Sequence, residues 1–360
     1  MKPRLLLWHW GRRGAGPQML IALARALAPR AEVAISVSAQ SALIEPTRAL
    51  GLPLDAVPTY RSAPGFAAGL ARVPALRPRL VRQAQAHRAD AVISVMTHLW
   101  TPLVAPALPA AGIPFIPIIH DARPHPGDPA AFWGWRMRRE LLAARLAVTL
   151  SAAVERVVNE IVPALPTMRM PLAAHLDLPP PRTGTRRDGP LRLLMFGRMR
   201  AYKGLDLLRD AFSMLPAGFT LRVVGDGPID TLAPGLASLP GVTIERRWVE
   251  EAEIPALIAE ADALVMPYRE ASQSGIIPIA QALGVPVVAT PAGGLTEQVA
   301  HGIDGLLATD ISAPALAATI AMLAQPGCLE LLTNGTRIRG AAMADWSDQA
   351  ETLLRAIGRN

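Results

Sequence analysis

Residues 191–204 read LRLLMFGRMRAYKG, and this stretch decides the fold class. The run Leu191–Phe196, apolar except for Arg192, is followed at once by a glycine-containing loop with three basic residues. Short apolar runs bounded by turn residues are typical of buried strands in a parallel sheet, and such sheets bind ligands at the carboxyl ends of their strands. We therefore predict a strand over 191–196 and a functional loop directly after it.

The same alternation of short apolar runs with longer amphipathic stretches extends over the whole chain, as in βαβ units. In the first half we predict strands near 4–10, 32–38, 89–95, 113–120 and 147–150, and helices over 18–27, 79–86 and 131–146. In the second half we predict further strands near 220–224, 242–245, 263–266 and 286–289, and helices over 205–215, 254–261, 277–283, 315–323 and 348–357. The predicted fold class is α/β, with two Rossmann-like, doubly wound domains facing a central cleft.

The length of the chain, 360 residues, fits about two domains. The clearest boundary is the segment 179–190, PPPRTGTRRDGP, in which prolines and glycines interrupt any periodic element. It predicts an N-terminal domain over 1–178, a linker over 179–190 and a C-terminal domain over 191–345. The last stretch, 346–360, is expected to form a helix that packs back on the N-terminal domain.

The composition excludes several classes of protein. With 51% hydrophobic and 18% charged residues, the chain is not disordered. Its single cysteine, Cys328, excludes a disulfide scaffold and a cysteine-based zinc site, and it fits a reducing cytoplasm. The apolar runs are shorter than the ~20 residues that cross a bilayer, and the N-terminus lacks the apolar segment of a signal peptide. We expect a cytoplasmic protein, or one that lies on the inner face of the membrane.

The charge of the chain points to an anionic partner. The formal net charge is +7, and residues 1–185 carry 21 Lys and Arg against 10 Asp and Glu. Such a basic half favours a phosphorylated substrate, an anionic lipid surface or nucleic acid. Basic runs interleaved with aromatic residues along one face are absent, so nucleic acid is the least favoured of the three and we expect no nucleic-acid partner.

The segment Phe132–Arg139 mixes aromatic and basic residues, FWGWRMRR. This composition is typical of a helix at a membrane surface. Trp133, Met137 and Leu141 also recur at helical spacing, which is equally the pattern of a helix that packs on a core. Both interpretations stay open at the level of the sequence.

A glycine loop, GRRGAGP, occupies residues 11–17 after the first predicted strand. Gly14 and Gly16 could let the backbone approach a phosphate at a helix N-terminus, or the loop is simply a turn that packs a helix on the sheet. Its spacing differs from the GxGxxG of dinucleotide-binding enzymes, and Ser36–Gln40 stand where those enzymes carry a ribose-binding acid. An NAD-dependent oxidoreductase is therefore disfavoured.

The loop after Phe196 contains Arg198 and Lys203, which could both reach one diphosphate. Of 36 basic residues only Lys2 and Lys203 are lysines. A lysine in a chain that otherwise uses arginine indicates a position where a compact ammonium serves better than a guanidinium fork. The alternative is a solvated loop charge.

A second candidate loop, Pro267–Gly275, reads PYREASQSG and joins a predicted strand to a predicted helix. Ser272, Ser274 and Gly275 resemble a helix N-cap, whose free amides could bind the distal phosphate of a nucleotide diphosphate. Glu270 could hold sugar hydroxyls. The serines also suit a simple cap, and both roles can coexist.

Five segments occur in register between residues 191 and 307: FGRMRAYKGLDLL, GDGP, ADALVMPYREASQSG, GVPVVAT and GGLTEQV. Together they resemble the nucleotide-sugar domain of glycosyltransferase family 4 (group 1). The first half is similar more loosely, through its glycine loop and the segment IPFIPIIHDARPHPGD. The resemblance implies a GT-B fold and metal-independent, retaining transfer of a sugar from a nucleotide diphosphate sugar, with no cofactor.

The resemblance also implies roles for individual residues. Arg198 and Lys203 would neutralise the leaving diphosphate, the main electrostatic task of such a reaction. The helix N-terminal loop would bind it from the other side through Ser272, Gln273, Ser274 and Gly275. His120 would contact the donor sugar and diphosphate, with an ordinary strand-end histidine as the alternative. Further candidates are Glu270 as a catalytic residue, Gly14 and Gly16 on the donor, and, on the acceptor side, Asp121, Arg12 and Arg13.

One departure from the family concerns the ribose. The family carries a second glutamate seven residues beyond the first, and here that position falls on Pro278, Ile279 or Ala280. Glu297 is a candidate substitute. Trp248 is a candidate wall for the nucleobase, with a core tryptophan as the alternative.

The expected function is transfer of a UDP- or GDP-linked sugar to a glycan or lipid-linked acceptor, with an anionic membrane surface as a further partner. The missing glutamate supports one alternative, a catalytically impaired scaffold protein that binds a nucleotide sugar.

Overall fold

The computed structural model describes residues 2–126, 131–181 and 189–358, which form two compact units. The first unit contains residues 2–124, 131–171 and 345–358. The second contains residues 125–126, 172–181 and 189–344. Each unit is built around one sheet whose neighbouring strands all run parallel.

The first unit has a seven-stranded sheet. Its strands are β1 (Arg4–His9), β2 (Glu32–Ser38), β3 (Leu54–Val57), β4 (Ala91–Ser94), β5 (Phe115–Ile119), β6 (Ala147–Thr149) and β7 (Thr167–Arg169). Their spatial order is β3-β2-β1-β4-β5-β6-β7, and Leu5 of β1 lies beside Val33 of β2 and Ala91 of β4. The order reverses between β1 and β4, which is the point where doubly wound sheets bind ligands.

Helices surround this sheet, and the residues of β1 are buried on both of its faces. The helices are α1 (Ala15–Leu27), α2 (Ile44–Arg48), α3 (Ala63–Gly69), α4 (Val73–Ala86), α5 (Thr101–Val104), α6 (Ala107–Ala110), α7 (Trp133–Ala143) and α8 (Ala152–Ile161). A last helix, Ser347–Ile357, returns to this unit and packs against α1. Its Glu351 pairs with Arg30 at 3.3 Å, and its Gln349 Nε2 donates to the Pro171 carbonyl at 3.1 Å.

The second unit repeats the plan with six strands. These are β8 (Leu191–Phe196), β9 (Phe219–Val224), β10 (Val242–Glu245), β11 (Ala263–Met266), β12 (Val287–Ala289) and β13 (Gly305–Leu307), in the order β10-β9-β8-β11-β12-β13. The helices are α9 (Leu205–Ser213), α10 (Ile229–Leu232), α11 (Ile254–Ala259), α12 (Ile276–Ala282), α13 (Leu295–Gln298), α14 (Ala313–Ala321) and α15 (Cys328–Ala341), and the last helix of the first unit is therefore α16. Here the strand order reverses between β8 and β11, so the loops after these two strands meet at the binding edge.

The core of the second unit has two layers, one on each face of its sheet. On β8, Leu193 and Met195 belong to one apolar cluster, while Leu194 and Phe196 belong to the other. Residues of a strand alternate between the two faces of a sheet, so a strand with both faces covered is mostly apolar. Arg192 is the exception in β8, and its guanidinium pairs with the Asp262 carboxylate at 3.0 Å. This is why the run 191–196 could be recognised as a strand from its composition alone.

The predicted α/β fold class is confirmed, and each predicted strand is present within a few residues of its expected bounds. The division of the chain differs from the expected one before the proline-rich segment. Residues 172–178 pack with the second unit, where Ala174 is buried and its amide donates to the Met343 carbonyl at 2.8 Å. Residues 182–188 of the expected linker lie outside the described residues.

In the described residues, no single helix is both long and apolar enough to cross a bilayer. The pair 313–324 and 328–341 passes that test only when taken together, and it is bent by 93°.

Candidate functional site

The loop after β8 is shaped by two glycines with left-handed backbones. Gly197 has φ of +116°, and a Cβ atom there would stand 2.9 Å from Lys203 Nζ. Gly204 has φ of +66°, and a Cβ atom there would stand 2.0 Å from the Pro267 carbonyl oxygen. Glycine alone adopts such angles without strain. The two glycines therefore fold the loop into a tight turn that brings Lys203 back over the end of β8.

Lys203 is a buried cation without a protein anion. Its side chain is 9% exposed, and its Nζ lies 5.1 Å from the ring centroid of Tyr268. Within the described part of the chain it forms no ion pair or hydrogen bond through its ammonium. Burial lowers the pKa of Lys203, Tyr202 raises it and Arg198 lowers it further. A desolvated cation of this kind gains most from an anionic ligand.

Arg198 lies on the same turn and is exposed. No carboxylate pairs with it among the residues that the structure describes. The neighbouring Arg269 is different, because its guanidinium makes two bonds of 2.9 Å to the Asp206 carboxylate. Its amide also donates to the Tyr202 carbonyl at 2.7 Å and ties the β11 loop to the β8 loop. Arg198 and Lys203, like the exposed Arg200 between them, thus have no carboxylate partner among the described residues and remain available to a ligand.

Glu270 follows β11 and its side chain is about half exposed. Its carboxylate lies 3.6 Å from Nδ1 of His125, a residue that packs with this second unit. The His125 ring stacks on Tyr202 at 4.6 Å between centroids and 16° between planes. His125 was not predicted from the sequence. The only signal was its place in the segment IIHDARPHPGD, which carried part of the family resemblance.

The loop before α12 is held by a pair of amide bonds. Ser274 N donates to Gln298 Oε1 at 2.7 Å, and Gln298 Nε2 donates to the Ser274 carbonyl at 2.9 Å. Ser274 Oγ in turn accepts a bond of 3.4 Å from the Ile276 amide. Gly275, one of the three residues expected at the cap, occupies the N-cap position of α12, and no side chain makes a cap bond there. Ser274 instead fastens the loop that precedes the helix. Its amide is engaged by Gln298, so we correct the expectation that this amide is free for a phosphate.

The remaining residues of the two loops differ in their surroundings. Ser272, Gln273 and Gly275 are half-buried in the same loop, and the Ala271 carbonyl accepts a bond of 3.0 Å from the Gly294 amide. Trp248 is 52% exposed, so the core alternative for this tryptophan is wrong. Glu297 is exposed on α13.

The three positions where the family's second glutamate would fall are all interior. Pro278, Ile279 and Ala280 are buried in α12. None of these side chains carries a hydrogen-bonding group, so they cannot bind a ribose hydroxyl.

A second polar cluster surrounds the loop after β4 in the first unit. His9 Nδ1 lies 3.3 Å from the Met96 carbonyl oxygen, and His120 Nε2 lies 3.3 Å from that of Val95. Burial lowers the pKa of both histidines, that of His9 to about 4. Neutral imidazoles that donate one N–H to these carbonyls keep the other ring nitrogen as an acceptor. His120, expected from the sequence, is thus accompanied by His9, which the sequence analysis did not single out.

The glycine loop is built around His9. A Cβ atom at Gly11 or Gly16 would stand 2.3 or 2.4 Å from His9 Nε2. The glycine at 16 is therefore explained by packing on the histidine ring, which favours the alternative interpretation of that residue. Gly14 has φ of +86° and precedes the first residue of α1, and a Cβ there would meet nothing within 4 Å.

The acceptor-side candidates lie near these loops. Arg12 covers the Tyr60 ring at 5.1 Å and donates to the Arg61 carbonyl, whereas Arg13 is exposed. Asp121 raises the pKa of His120 against the larger effect of burial. Arg12 is thus held by the protein itself, and Arg13 extends into solvent.

Behind the β4 loop lies a buried carboxyl, Glu140 of α7. Thr97 Oγ1 donates to its Oε1 at 3.2 Å, and burial raises its pKa to about 8. His98, on the same loop, contacts the Tyr60 hydroxyl at 3.1 Å, and burial lowers its pKa to about 3. Glu140 and His98 are thus both neutral at pH 7, as expected for groups whose charged forms lose their solvation on burial. In the described residues no three His, Cys, Asp or Glu side chains are arranged to hold a metal ion.

Most of the second unit matches a known protein family. Residues 190–325 match the family model described as "Glycosyl transferases group 1". The chain is 34% identical over 193 residues to the D-inositol 3-phosphate glycosyltransferase of Frankia alni, covering 49% of this chain and 46% of that protein. It is 28% identical over 249 residues to the 2-deoxystreptamine glucosyltransferase of Streptomyces kanamyceticus, covering 62% and 64%. The first curated relatives are matched over only about a third to a half of their length.

Solved structures match nearly the whole chain. Anabaena Alr3699/HepE in complex with UDP has a TM-score of 0.74 at 21% identity and covers 99% of this chain and 100% of its own. WaaG, a glycosyltransferase involved in lipopolysaccharide biosynthesis, has a TM-score of 0.64 at 16% identity and covers 99% and 100%. The expected GT-B fold is confirmed by this agreement.

Proposed function

We propose that this protein, whose residues 190–325 match the family model of group 1 glycosyl transferases and whose fold is GT-B, transfers a hexosyl group from a nucleotide diphosphate sugar, with retention and without a metal ion. The acceptor we propose is a glycan or a lipid-linked saccharide. The proposal concerns the whole chain. The matched domain would bind the donor, and the first unit would bind the acceptor.

Lys203 carries the proposal. It is a buried ammonium without a protein anion, placed where the strand order of the second unit reverses. A nucleoside diphosphate supplies the missing negative charge. As the bond between the anomeric carbon and the diphosphate oxygen breaks, a further negative charge develops on that oxygen, and Lys203 and Arg198 would stabilise it.

The rest of the reaction needs few groups. The acceptor hydroxyl oxygen forms a bond to the anomeric carbon on the face from which the diphosphate leaves. Its proton passes to the departing diphosphate, so atoms and charge balance without an external base. His120 would contact the donor sugar and diphosphate, as the family resemblance implies.

UDP is the first donor nucleotide to test. One structural neighbour is described as a complex with UDP, and another structure of it as a complex with UDP-glucose. Trp248, half exposed after β10, offers an aromatic face for the base. Glu297 is proposed as the carboxylate that replaces the family's second glutamate on the ribose.

The acceptor side of the proposal rests on the first unit. Relatives include a putative colanic acid biosynthesis glycosyltransferase of Salmonella typhimurium and the lipopolysaccharide enzyme already described. A lipid-linked precursor of a surface polysaccharide would lie at a membrane, and α7 has an exposed aromatic and basic face that could contact one. Phe132 is 78% and Trp135 51% exposed there, beside the Arg139 guanidinium at 5.6 Å from the Trp135 ring. We propose that this face binds anionic lipid.

A second candidate function is a scaffold that binds a nucleotide sugar without transferring it. The apolar residues at the positions of the second glutamate favour it, since they cannot bind the ribose. Arg198 and Lys203 disfavour it, because a scaffold has no need to stabilise a leaving group.

The experiment is calorimetric titration with UDP, GDP and ADP, followed by hydrolysis of the matching nucleotide sugars. Binding of one nucleotide with slow release of its sugar supports the transferase. Binding without release, even with saccharide acceptors present, supports the scaffold. A protein that binds none of the three nucleotides contradicts both proposals.

A further inference from the structure

His125 stands out among the residues that no comparison and no sequence motif assigns. Its side chain is 13% exposed, although histidine is often solvated, and two of its contacts are with loops of the second unit. The ring stacks on Tyr202 at 4.6 Å, and Nδ1 lies 3.6 Å from Glu270 Oε1. Tyr202 and Glu270 belong to the two loops that follow β8 and β11, so the imidazole contacts both loops of the proposed donor site.

Glu270 depends on this histidine for a partner. The adjacent Arg269 directs its guanidinium to Asp206 through two bonds of 2.9 Å. Lys203 directs its ammonium to the Tyr268 ring instead. Over the described residues, His125 is the one basic side chain within ion-pair distance of the Glu270 carboxylate.

The stack on Tyr202 fixes where the imidazole can stand. Tyr202 immediately precedes Lys203, and its carbonyl accepts the Arg269 amide at 2.7 Å. Because the His125 ring lies flat on Tyr202, it can approach Glu270, the residue after Arg269, only with its edge. Nδ1 is the ring atom on that edge. The 3.6 Å separation is longer than a hydrogen bond, and such contacts tighten when a ligand orders the site.

We propose that His125 is a positioning residue that orients the Glu270 carboxylate toward the sugar of the bound nucleotide sugar. The inference rests on the proposed function and deepens it. The carboxylate is about half exposed, so one edge can pair with His125 while the other accepts hydroxyls of the sugar. The nucleoside diphosphate part of the donor is bound by Arg198 and Lys203 and does not need His125.

Two variants of His125 test the role of its aromatic ring and the role of Nδ1 separately. His125→Phe keeps an aromatic ring on Tyr202 and removes the contact with Glu270. His125→Asn gives up the ring and keeps an N–H donor at the place of Nδ1. For both we would measure UDP or GDP affinity by calorimetry, and KM and kcat for the matching sugar nucleotide, with thermal unfolding as a check on folding. His87→Phe, at a half-buried histidine after α4 whose Nε2 lies 3.1 Å from the Glu32 carbonyl oxygen, is the control.

We expect the His125 variants to affect sugar transfer much more than nucleotide binding. His125→Phe should lose about tenfold or more in kcat/KM, the scale of one hydrogen bond to a charged group, while nucleoside diphosphate affinity changes less than about twofold. His125→Asn should recover most of that loss. In the Glu270→Gln background, His125→Phe should cause no further loss, because the residue acts through Glu270.

Two outcomes would overturn the proposal while the wild-type enzyme still transfers sugar. One is His125→Phe with unchanged kcat/KM. The other is equal losses in the Phe and Asn variants that add to the loss in Glu270→Gln, which would mean that the histidine acts independently of Glu270. Wild-type protein that binds no nucleotide would instead refute the proposed function itself.

Discussion

Lys203 lies with its ammonium 5.1 Å from the ring centroid of Tyr268, and no carboxylate of the described residues pairs with it. The aromatic face partly replaces the solvation that burial removes, but a cation–π contact is weaker than an ion pair. Tyr268 also hydrogen-bonds Ser274, and burial raises the pKa of its hydroxyl. The phenol therefore stays neutral and cannot compensate the lysine, so the site keeps an uncompensated positive charge.

Replacement of Lys203 by methionine should separate activity from stability. Methionine has a similar length and no charge, so nucleoside diphosphate affinity should fall and turnover should drop by about 10²–10³, as when one oxyanion donor is removed. The melting temperature should stay the same or rise, because an unpaired buried charge disappears. Calorimetry, turnover and thermal unfolding test both parts. Wild-type turnover in Lys203→Met would remove the residue from the proposed mechanism.

Arg198 has a natural control on the same turn. Arg198 and Arg200 are both exposed and lie two positions apart, so the Ala variants change the net charge equally. Arg198→Ala should lower turnover by about 10²–10³ if it stabilises the leaving diphosphate, whereas Arg200→Ala should change it little. Equal losses in the two variants, both removed by added salt, would indicate only a general electrostatic effect of the loop.

The strands of the sheet centres were predictable because burial on both faces leaves an apolar run, as in β8. The strands β3, β7 and β13 were missed, and all three are short edge strands of three or four residues. The helix α15 was missed for a different reason. Its Gly335 and Gly340 weaken the helical signal, yet a Cβ at either would stand 2.0 Å from a carbonyl oxygen of a neighbouring segment, so close packing requires them.

The candidate site could be predicted only in part. Lys203 was found from composition, because lysine is rare in this chain. His9 continues the apolar run of β1, and nothing in its sequence context shows that it packs between two glycines. His125 meets Glu270 across about 145 positions of sequence, and one sequence does not report such a contact. Local pattern therefore identifies loops, while long-range pairing of side chains needs the structure.

The folding stability should depend on His9 at acidic pH. Its folded pKa of about 4 lies below the unfolded value of 6.5, so the neutral form stabilises the fold above pH 6.5 and this contribution is lost as pH falls through 4. The full difference corresponds to about 3 kcal/mol. Urea unfolding at pH 7, 6 and 5 should show the wild type losing stability relative to His9→Gln. Parallel pH dependences in the two proteins would contradict a buried, neutral His9.

The contribution of Glu140 to folding stability should change with pH in the direction opposite to that of His9. Its pKa of about 8 lies above the unfolded value of 4.5, so its protonated form stabilises the fold below pH 4.5 and that contribution is lost as pH rises through 8. Glu140→Gln keeps the shape and stays neutral. It should therefore gain stability relative to the wild type between pH 5 and pH 8. A constant difference over this interval would mean that the carboxyl is ionised throughout.

The proposed lipid-binding face of α7 can be tested against a matched surface. Trp135→Ala and Phe132→Ala each remove an exposed aromatic side chain. The matched control, Ile338→Ala, removes an aliphatic side chain that is 73% exposed in the second unit. We expect the two aromatic variants to reduce sedimentation with vesicles that contain anionic phospholipid, and the isoleucine variant to leave it unchanged. The wild-type binding should weaken as salt rises, because arginines such as Arg138 contribute through screened charges. If wild-type protein does not sediment with these vesicles at low salt, or if all three variants behave alike, the aromatic face has no role at a membrane and the lipid-linked acceptor loses its structural support.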